Sequence, residues 1–182
     1  MNSDDSLIDK TIQGDKEAFG LLVSKYQDRL FNTMFHIAGG AENAYDVVQE
    51  TFLQAYLRIG TFRRTSRFYT WIYRIAFNVA MGIKRKQKPV AVFSQSRTSG
   101  MEEIDSKESS PDELLLTEEN VEMVQQSIAK LDDEFRAVIV LREIEDLSYE
   151  QISEILEIPL GTVRSRLHRG RALLKEILLR HL

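Results

Sequence analysis

Apolar residues recur along most of this chain at spacings of three and four, the period of helices buried on one side. No run alternates apolar and polar positions as a half-buried strand would. Asp15 stands where it can cap a helix whose stripe is Phe19, Leu22, Val23, Tyr26, Leu30 and Phe31. Gly39 and Gly40 stop that pattern after Ala38. It resumes from about Glu42 to Ile59, where Val47, Val48, Phe52, Ala55 and Tyr56 line up inward, and Gly60 and Thr61 interrupt it again. From about Ser66 a third helix is predicted, reaching residue 86. Phe68, Ile72, Ile75, Ala76, Val79 and Ile83 share one apolar arc on it, and Tyr69, Tyr73 and Phe77 fall beyond the edge. So wide an arc needs a second covering element, or a ligand for its surplus aromatic faces.

From about Gln87 to Ser110 the periodicity fades, and Ser, Thr, Gly and acids dominate, the composition of a flexible linker. Pro111 suits the first turn of a new helix. Asp112, Glu113, Glu118 and Glu119 follow early in that helix, the end where negative charge is favoured. The expected fold is all-α: two small helical domains, 1–86 and 114–182, joined by a flexible acidic linker, 87–113. In the second domain Ser148 and Gln151 are placed for a capping box, ahead of the stripe Ile152, Ile155 and Leu156. Pro159 and Gly161 are expected to end that helix and reverse the chain. The next helix would bury Val163, Leu167, Leu174 and Ile177, completing a helix-turn-helix.

Composition narrows the function. With 43% hydrophobic and 29% charged residues, the 182-residue chain is in the ordinary globular range. It has neither a bilayer-length apolar run nor the basic-then-apolar start of a secretory signal, so a cytoplasmic protein without membrane insertion is expected. The absence of Cys excludes disulfide and cysteine–metal sites. His36, His168 and His181 are too scattered for a His-rich metal centre, and no cofactor is expected. The net charge of −4 conceals strong segregation. Residues 63–88 carry eight Lys/Arg and no acid, residues 101–123 nine acids and one Lys, and residues 162–182 six bases and one acid. Two basic blocks around an acidic one suit two polyanion-facing surfaces and a spacer.

The candidate chemistry lies on those blocks. Opposite the buried stripe of the last helix are Ser165, His168, Arg169 and Ala172, flanked by Arg164 and Arg171. That basic face fits a major groove, where Arg bonds guanine bidentately and Ser takes phosphates. On the third helix Trp71 borders a stripe of Arg74, Asn78, Met81 and Arg85. Aromatics flanked by Arg suit bases unstacked from DNA. For Tyr69, Tyr73 and Phe77 core packing and base stacking both remain open. There is no phosphate loop, no nucleophile beside a His and no metal cluster, so neither an enzyme nor a small-molecule substrate is expected.

Four segments, "GDKEAFGLLVSKYQDRLF", "AYDVVQETFLQAYLRIGTF", "TSRFYTWIYRIAFNVA" and "LSYEQISEILEIPLGTVRSRLHRGRALL", resemble the extracytoplasmic-function (group IV) sigma factors of bacterial RNA polymerase, in that family's order and spacing. The resemblance implies that the first domain is region 2. Its Asp46–Phe62 helix would dock on the clamp coiled coil of the largest core polymerase subunit through Asp46, Gln49, Glu50 and Leu53. The loop Thr61–Arg67, with Arg63, Arg64 and Ser66, would capture a base flipped from the promoter's minus-ten element. Trp71, Arg74, Asn78 and Arg85 would read and melt that element. The second domain would be region 4, placing Thr162, Arg164, Ser165, His168, Arg169 and Arg171 on the minus-thirty-five element. An anti-sigma factor is an implied further partner. Tyr45 stands where the family usually has an acid, Arg64 where it has Gly and Gly170 where it has Ala. The competing expectation is a stand-alone helix-turn-helix regulator that binds duplex DNA without polymerase. A further expectation is that linker acids such as Glu102, Glu103 and Asp105 mimic a nucleic-acid backbone or fold back on the basic faces.

Overall fold

The computed structural model describes residues 3–87 and 111–180; of the expected linker 87–113, Gln87 belongs to the helix before it and 111–113 to the helix after it, and the linker acids Glu102, Glu103 and Asp105 lie outside the described residues. The described residues form eight α-helices: α1 (Ser3–Ile12), α2 (Lys16–Ala38), α3 (Ala41–Arg58), α4 (Phe68–Gln87), α5 (Pro111–Ala129), α6 (Asp133–Ile139), α7 (Tyr149–Leu156) and α8 (Leu160–Leu179). A 3-10 turn, Ile59–Thr61, follows α3, and a π-helical segment, Val140–Ile144, continues α6. The described residues contain no strand, as the single helical period predicts.

Local chemistry sets most of the boundaries. The Asp15 carboxylate accepts from the backbone N–H groups of Glu17 and Ala18, starting α2. Gly39 ends it in the left-handed conformation at φ 90°, and Gly40 follows at φ 122°, conformations in which a side chain would be strained. α5 begins at Pro111, whose missing N–H is not needed there. Ser148 and Gln151 form the expected capping box at the start of α7.

The turn of the helix-turn-helix differs from expectation. Glu157, not a glycine, closes α7 in the left-handed region at φ 54°, and its N–H bonds the Ser153 carbonyl. Pro159 precedes α8 as its N-cap residue, and Gly161 lies inside the helix. Gly161 therefore does not make the reversal.

α2, α3 and α4 pack around Leu22, Leu30, Met34, Ala44, Val47, Ala55, Ile72 and Ala76. α1 covers one end with Ile8, and its buried Asp4 accepts from Tyr26 (2.5 Å) and pairs with Lys25. The sequence reading overlooked this helix, although Leu7, Ile8 and Thr11 already share one face. The C-terminal helices bury Ile139, Leu141, Ile152, Ile155, Val163 and Leu167. Leu174 and Ile177, expected on the same stripe, pack on the core but are only partly covered. The two groups of helices touch: α7 lies on α4, and the π segment lies on α2.

Gly170, where the resembling family usually has Ala, faces α6. A β-carbon there would stand 3.0 Å from Cγ1 of Ile139, which is fully buried. Gly170→Ala is therefore expected not to raise the melting temperature. A gain of about 1 kcal/mol in helix propensity is offset by about 1–3 kcal/mol of overpacking. A higher melting point by circular dichroism would show that Ile139 yields.

Candidate nucleic-acid interface

α8 presents the first candidate surface. Val163 and Leu167 anchor it inward, so Arg164, Ser165, His168 and Arg169 emerge together on the exposed side. Thr162 is half-buried in the first turn, where its carbonyl accepts from the Ser165 hydroxyl at 3.1 Å. Arg171 is turned aside. Its Nε donates to Glu143 at 2.9 Å, and this carboxylate raises the guanidinium pKa further. Arg166, not singled out in the sequence, pairs with Glu134 at 2.7 Å and braces α8 against α6. Arg164, His168, Arg171 and Lys175 line one shallow groove with Tyr149, over whose ring Arg142 stands at 5.7 Å.

The loop before α4 and that helix's first turns form the second. Phe62 is buried and packs on Phe68 and Trp71 with centroids at 5.9 and 5.1 Å, pinning the loop at its root. Trp71 is half-buried, with Phe68 on another side at 5.7 Å. Arg63 and Arg67 are exposed and Ser66 half-exposed. Arg64 adopts φ 56°, the left-handed conformation that favours Gly, the residue usual at this position in the resembling family. Such backbone costs about 1–3 kcal/mol in a non-Gly residue and persists only where surroundings hold it. Here Arg64 is ion-paired to Asp9 of α1. A cleft beside the loop is lined by Phe62, Arg64, Ser66 and Thr70, with Gln151 and Glu154 of α7 facing them.

Farther along α4, Asn78 and Arg85 are exposed, but Arg74 is occupied. Its Nε donates to the Glu154 carbonyl at 3.0 Å, and Glu157 lies 3.9 Å from its Nη1. The surplus aromatics are covered by protein. Tyr73 is fully buried, and Tyr69 packs on it in a tilted pair with centroids at 4.6 Å, with Arg29 over the Tyr69 ring at 5.4 Å. Burial pushes both hydroxyls well above the usual tyrosine range, so they stay protonated. Phe77 is half-buried against the same core. Core packing therefore accounts for Tyr73 and Tyr69, while Phe77 packs on the core with part of its ring exposed.

A third surface lies on the outer face of α3. Asp46, Gln49, Glu50 and Leu53 share it, and Glu50 accepts from Gln54 at 2.7 Å. Tyr45 and Leu57, which the sequence reading left out of this set, extend it: they are 65% and 73% exposed, among the most open large apolar residues described. The signal was available, since Leu57 lies one turn beyond Leu53 and off the Val47–Phe52–Ala55 stripe. Tyr45, in place of an acid, packs on Phe31 at 4.5 Å. Among the described residues no acidic or His cluster could hold a metal, and no helix is long and apolar enough to cross a membrane.

Comparison with known proteins follows the same division. Residues 22–89 match the family model for Sigma-70 region 2, and residues 121–174 match that for Sigma-70, region 4. The RNA polymerase sigma-H factor of Pseudomonas aeruginosa is 39% identical over 174 residues, 92% of this chain and 90% of that protein. The ECF RNA polymerase sigma factor SigW of Bacillus subtilis is 37% identical over 170 residues, 90% of each. Among solved structures, the sigma factor RpoE in complex with the anti-sigma factor NepR from Bartonella quintana shares the fold, with a TM-score of 0.70 and 22% identity. That alignment covers 88% of this chain and 96% of RpoE.

Proposed function

The chain belongs to the extracytoplasmic-function sigma factors of the sigma-70 family, and from that membership we propose that it binds core RNA polymerase and directs it to a narrow set of promoters. The observation that carries this reading is the pairing, in one chain, of an aromatic–basic loop and helix with a capped helix-turn-helix whose exposed face is Arg164, Ser165, His168 and Arg169. Sigma factors are initiation factors rather than catalysts, and we assign this chain no chemistry of its own.

In this reading residues 1–86 act as the minus-ten unit and residues 114–182 as the minus-thirty-five unit, joined through 87–113. Arg63, Arg64 and Ser66 shape the pocket for a flipped base. Flipping costs a few kcal/mol, which stacking and polar contacts to the extruded base offset. Trp71 supplies a stacking face, while Arg74, Asn78 and Arg85 hold the strand. Thr162, Arg164, Ser165, His168 and Arg169 enter the major groove, and Arg171 joins them by exchanging Glu143 for a phosphate. Asp46, Gln49, Glu50 and Leu53 meet the clamp coiled coil of the largest polymerase subunit, with Tyr45 and Leu57 widening the contact. An anti-sigma factor is the regulatory partner, and the cytoplasm, where polymerase and promoter are, is the place of action.

Purified protein with core enzyme should give promoter-dependent transcripts from fragments of its own genome, and none on any fragment would sink the assignment. The stand-alone regulator makes the opposite prediction, tight duplex binding without core. For the recognition helix, Arg169→Ala is expected to weaken minus-thirty-five binding by about 1–3 kcal/mol and to relax selectivity at one base pair. A loss that is uniform across promoter sequences, measured by competition binding of the holoenzyme, would make Arg169 a phosphate contact instead.

A further inference from the structure

We propose that the C-terminal helices close against α4 in the free protein, engaging Arg74 of its minus-ten-reading face and latched by Glu145, so that the chain inhibits itself until it is opened. The inhibitory meaning rests on the function proposed above; the closure itself does not.

The latch is a buried acid. Glu145 is 5% exposed and caps the π segment, with its N–H reaching back to the Val140 carbonyl at 3.1 Å. Such widened helical turns are rare and recur at functional sites. Its carboxylate takes donors from the other half of the molecule: Arg29 Nε at 2.6 Å, the Thr33 hydroxyl at 2.5 Å and the Tyr73 hydroxyl at 3.1 Å. Arg29 Nη2 also bonds the Glu145 carbonyl at 3.0 Å. A carboxylate is withdrawn from water at such a place only when it is fully paired, and charge-assisted bonds from two helices meet that need.

Around the latch, negative groups of the C-terminal half stand on bases of α4. Arg74 is held by the Glu154 carbonyl in the last turn of α7, the negative end of that helix's dipole, with Glu157 beside it. Lys84 pairs with Asp133 at the start of α6. The first occupies a cation that the proposed function gives to the minus-ten strand, and the second fastens the end of α4 to α6.

Closure and promoter binding exclude each other on length alone. The two promoter elements lie about 25 base pairs apart, or about 85 Å at 3.4 Å per pair. In the closed chain Arg74 touches α7, and α8 follows α7 after three residues, so the two reading surfaces are about two helix diameters apart. The seal is releasable. Its peripheral ion pairs are partly exposed and contribute little. The Tyr69 hydroxyl is buried without a hydrogen-bond partner among the described residues, a penalty that opening to water would relieve.

The test uses the full chain, whose lack of Cys makes an introduced pair unique. Lys84→Cys with Asp133→Cys, treated with a bis-maleimide whose arm contains a disulfide, should cross-link within the free chain. Adding Glu145→Gln should lower the yield about tenfold and tighten binding of a single-stranded minus-ten oligonucleotide by up to about tenfold, since apparent affinity scales with the open fraction. The cross-linked chain should support no transcription with core polymerase, and reduction of the arm should restore it. Two results would overturn the proposal: cross-linking equal with and without Glu145→Gln in folded proteins, or full activity of the cross-linked chain. Should Glu145→Gln lose its helical circular dichroism, the locked and reduced chain decides. Cross-linking is read without DNA or polymerase. An open, reduced chain that yields no transcript therefore counts against the promoter reading and not against closure.

Discussion

Replacing Leu53 and Leu57 together by Asp is expected to abolish binding to core RNA polymerase while leaving the melting temperature of the free protein unchanged. The two side chains are 54% and 73% exposed one turn apart, opposite the buried Ala44, Val47, Phe52 and Ala55 that fix α3 in the fold. The free protein therefore loses no core contact. In a docked complex each leucine contributes about 1.5–3 kcal/mol on burial. Two together amount to about 3–6 kcal/mol, or roughly 10²- to 10⁴-fold in affinity. A buried aspartate without a partner adds to the loss. Titration of labelled protein with core enzyme measures it. Unchanged affinity would move the docking surface off α3. Asp46→Ala and Gln49→Ala, which remove polar contacts at the rim, should have the smaller effects of exposed pairs.

Trp71→Ala is expected to reduce minus-ten strand binding, and with it open-complex formation, by roughly 5- to 150-fold, the equivalent of about 1–3 kcal/mol of stacking on one base. Half of the ring's environment is protein, Phe62 and Phe68, so Trp71→Phe is the companion variant: it keeps the packing and part of the stacking face. It should fall between the wild type and Trp71→Ala. Because this is the only Trp in the chain, its fluorescence reports the site directly. Emission of the free chain should change when excess single-stranded minus-ten DNA is added. An unchanged spectrum together with wild-type melting by Trp71→Ala would make Trp71 a core residue alone.

The helices were legible because their signals act over one or two turns. The Asp15 cap, the Gly39–Gly40 stop, the Pro111 start and the Ser148–Gln151 box each concern atoms within a few residues of one another, and all stand where the pattern places them. The turn before α8 departs from the local pattern for a related reason. Glycine is the residue that most readily adopts a left-handed backbone, so the local pattern points to Gly161, whereas the N–H groups of Glu157 and Ile158 both bond the Ser153 carbonyl and close the turn at Glu157. At Arg64 the same tension appears, and an ion pair to Asp9, in a helix the sequence reading overlooked, accompanies the strained backbone.

The exposed faces of α8 and α3 could be drawn on a helical wheel, since periodicity alone separates the buried stripe from its opposite side. Gly170 reads as a mere weakness in a helix until Ile139 is seen against it. Tyr69, Tyr73 and Phe77 could be placed only by the element that covers them. Arg74 looked free for DNA, and it is held by the end of α7.

The sequence by itself thus determined the helices, their caps, their buried stripes and the basic faces suited to nucleic acid, because each rests on bonds and periods short along the chain. Tertiary structure alone decided which of those faces are open. Glu145, an acid among acids in sequence, meets Tyr73, Thr33 and Arg29 across 72, 112 and 116 residues. Pairing at that separation is set by how the two halves pack, and no local pattern encodes it.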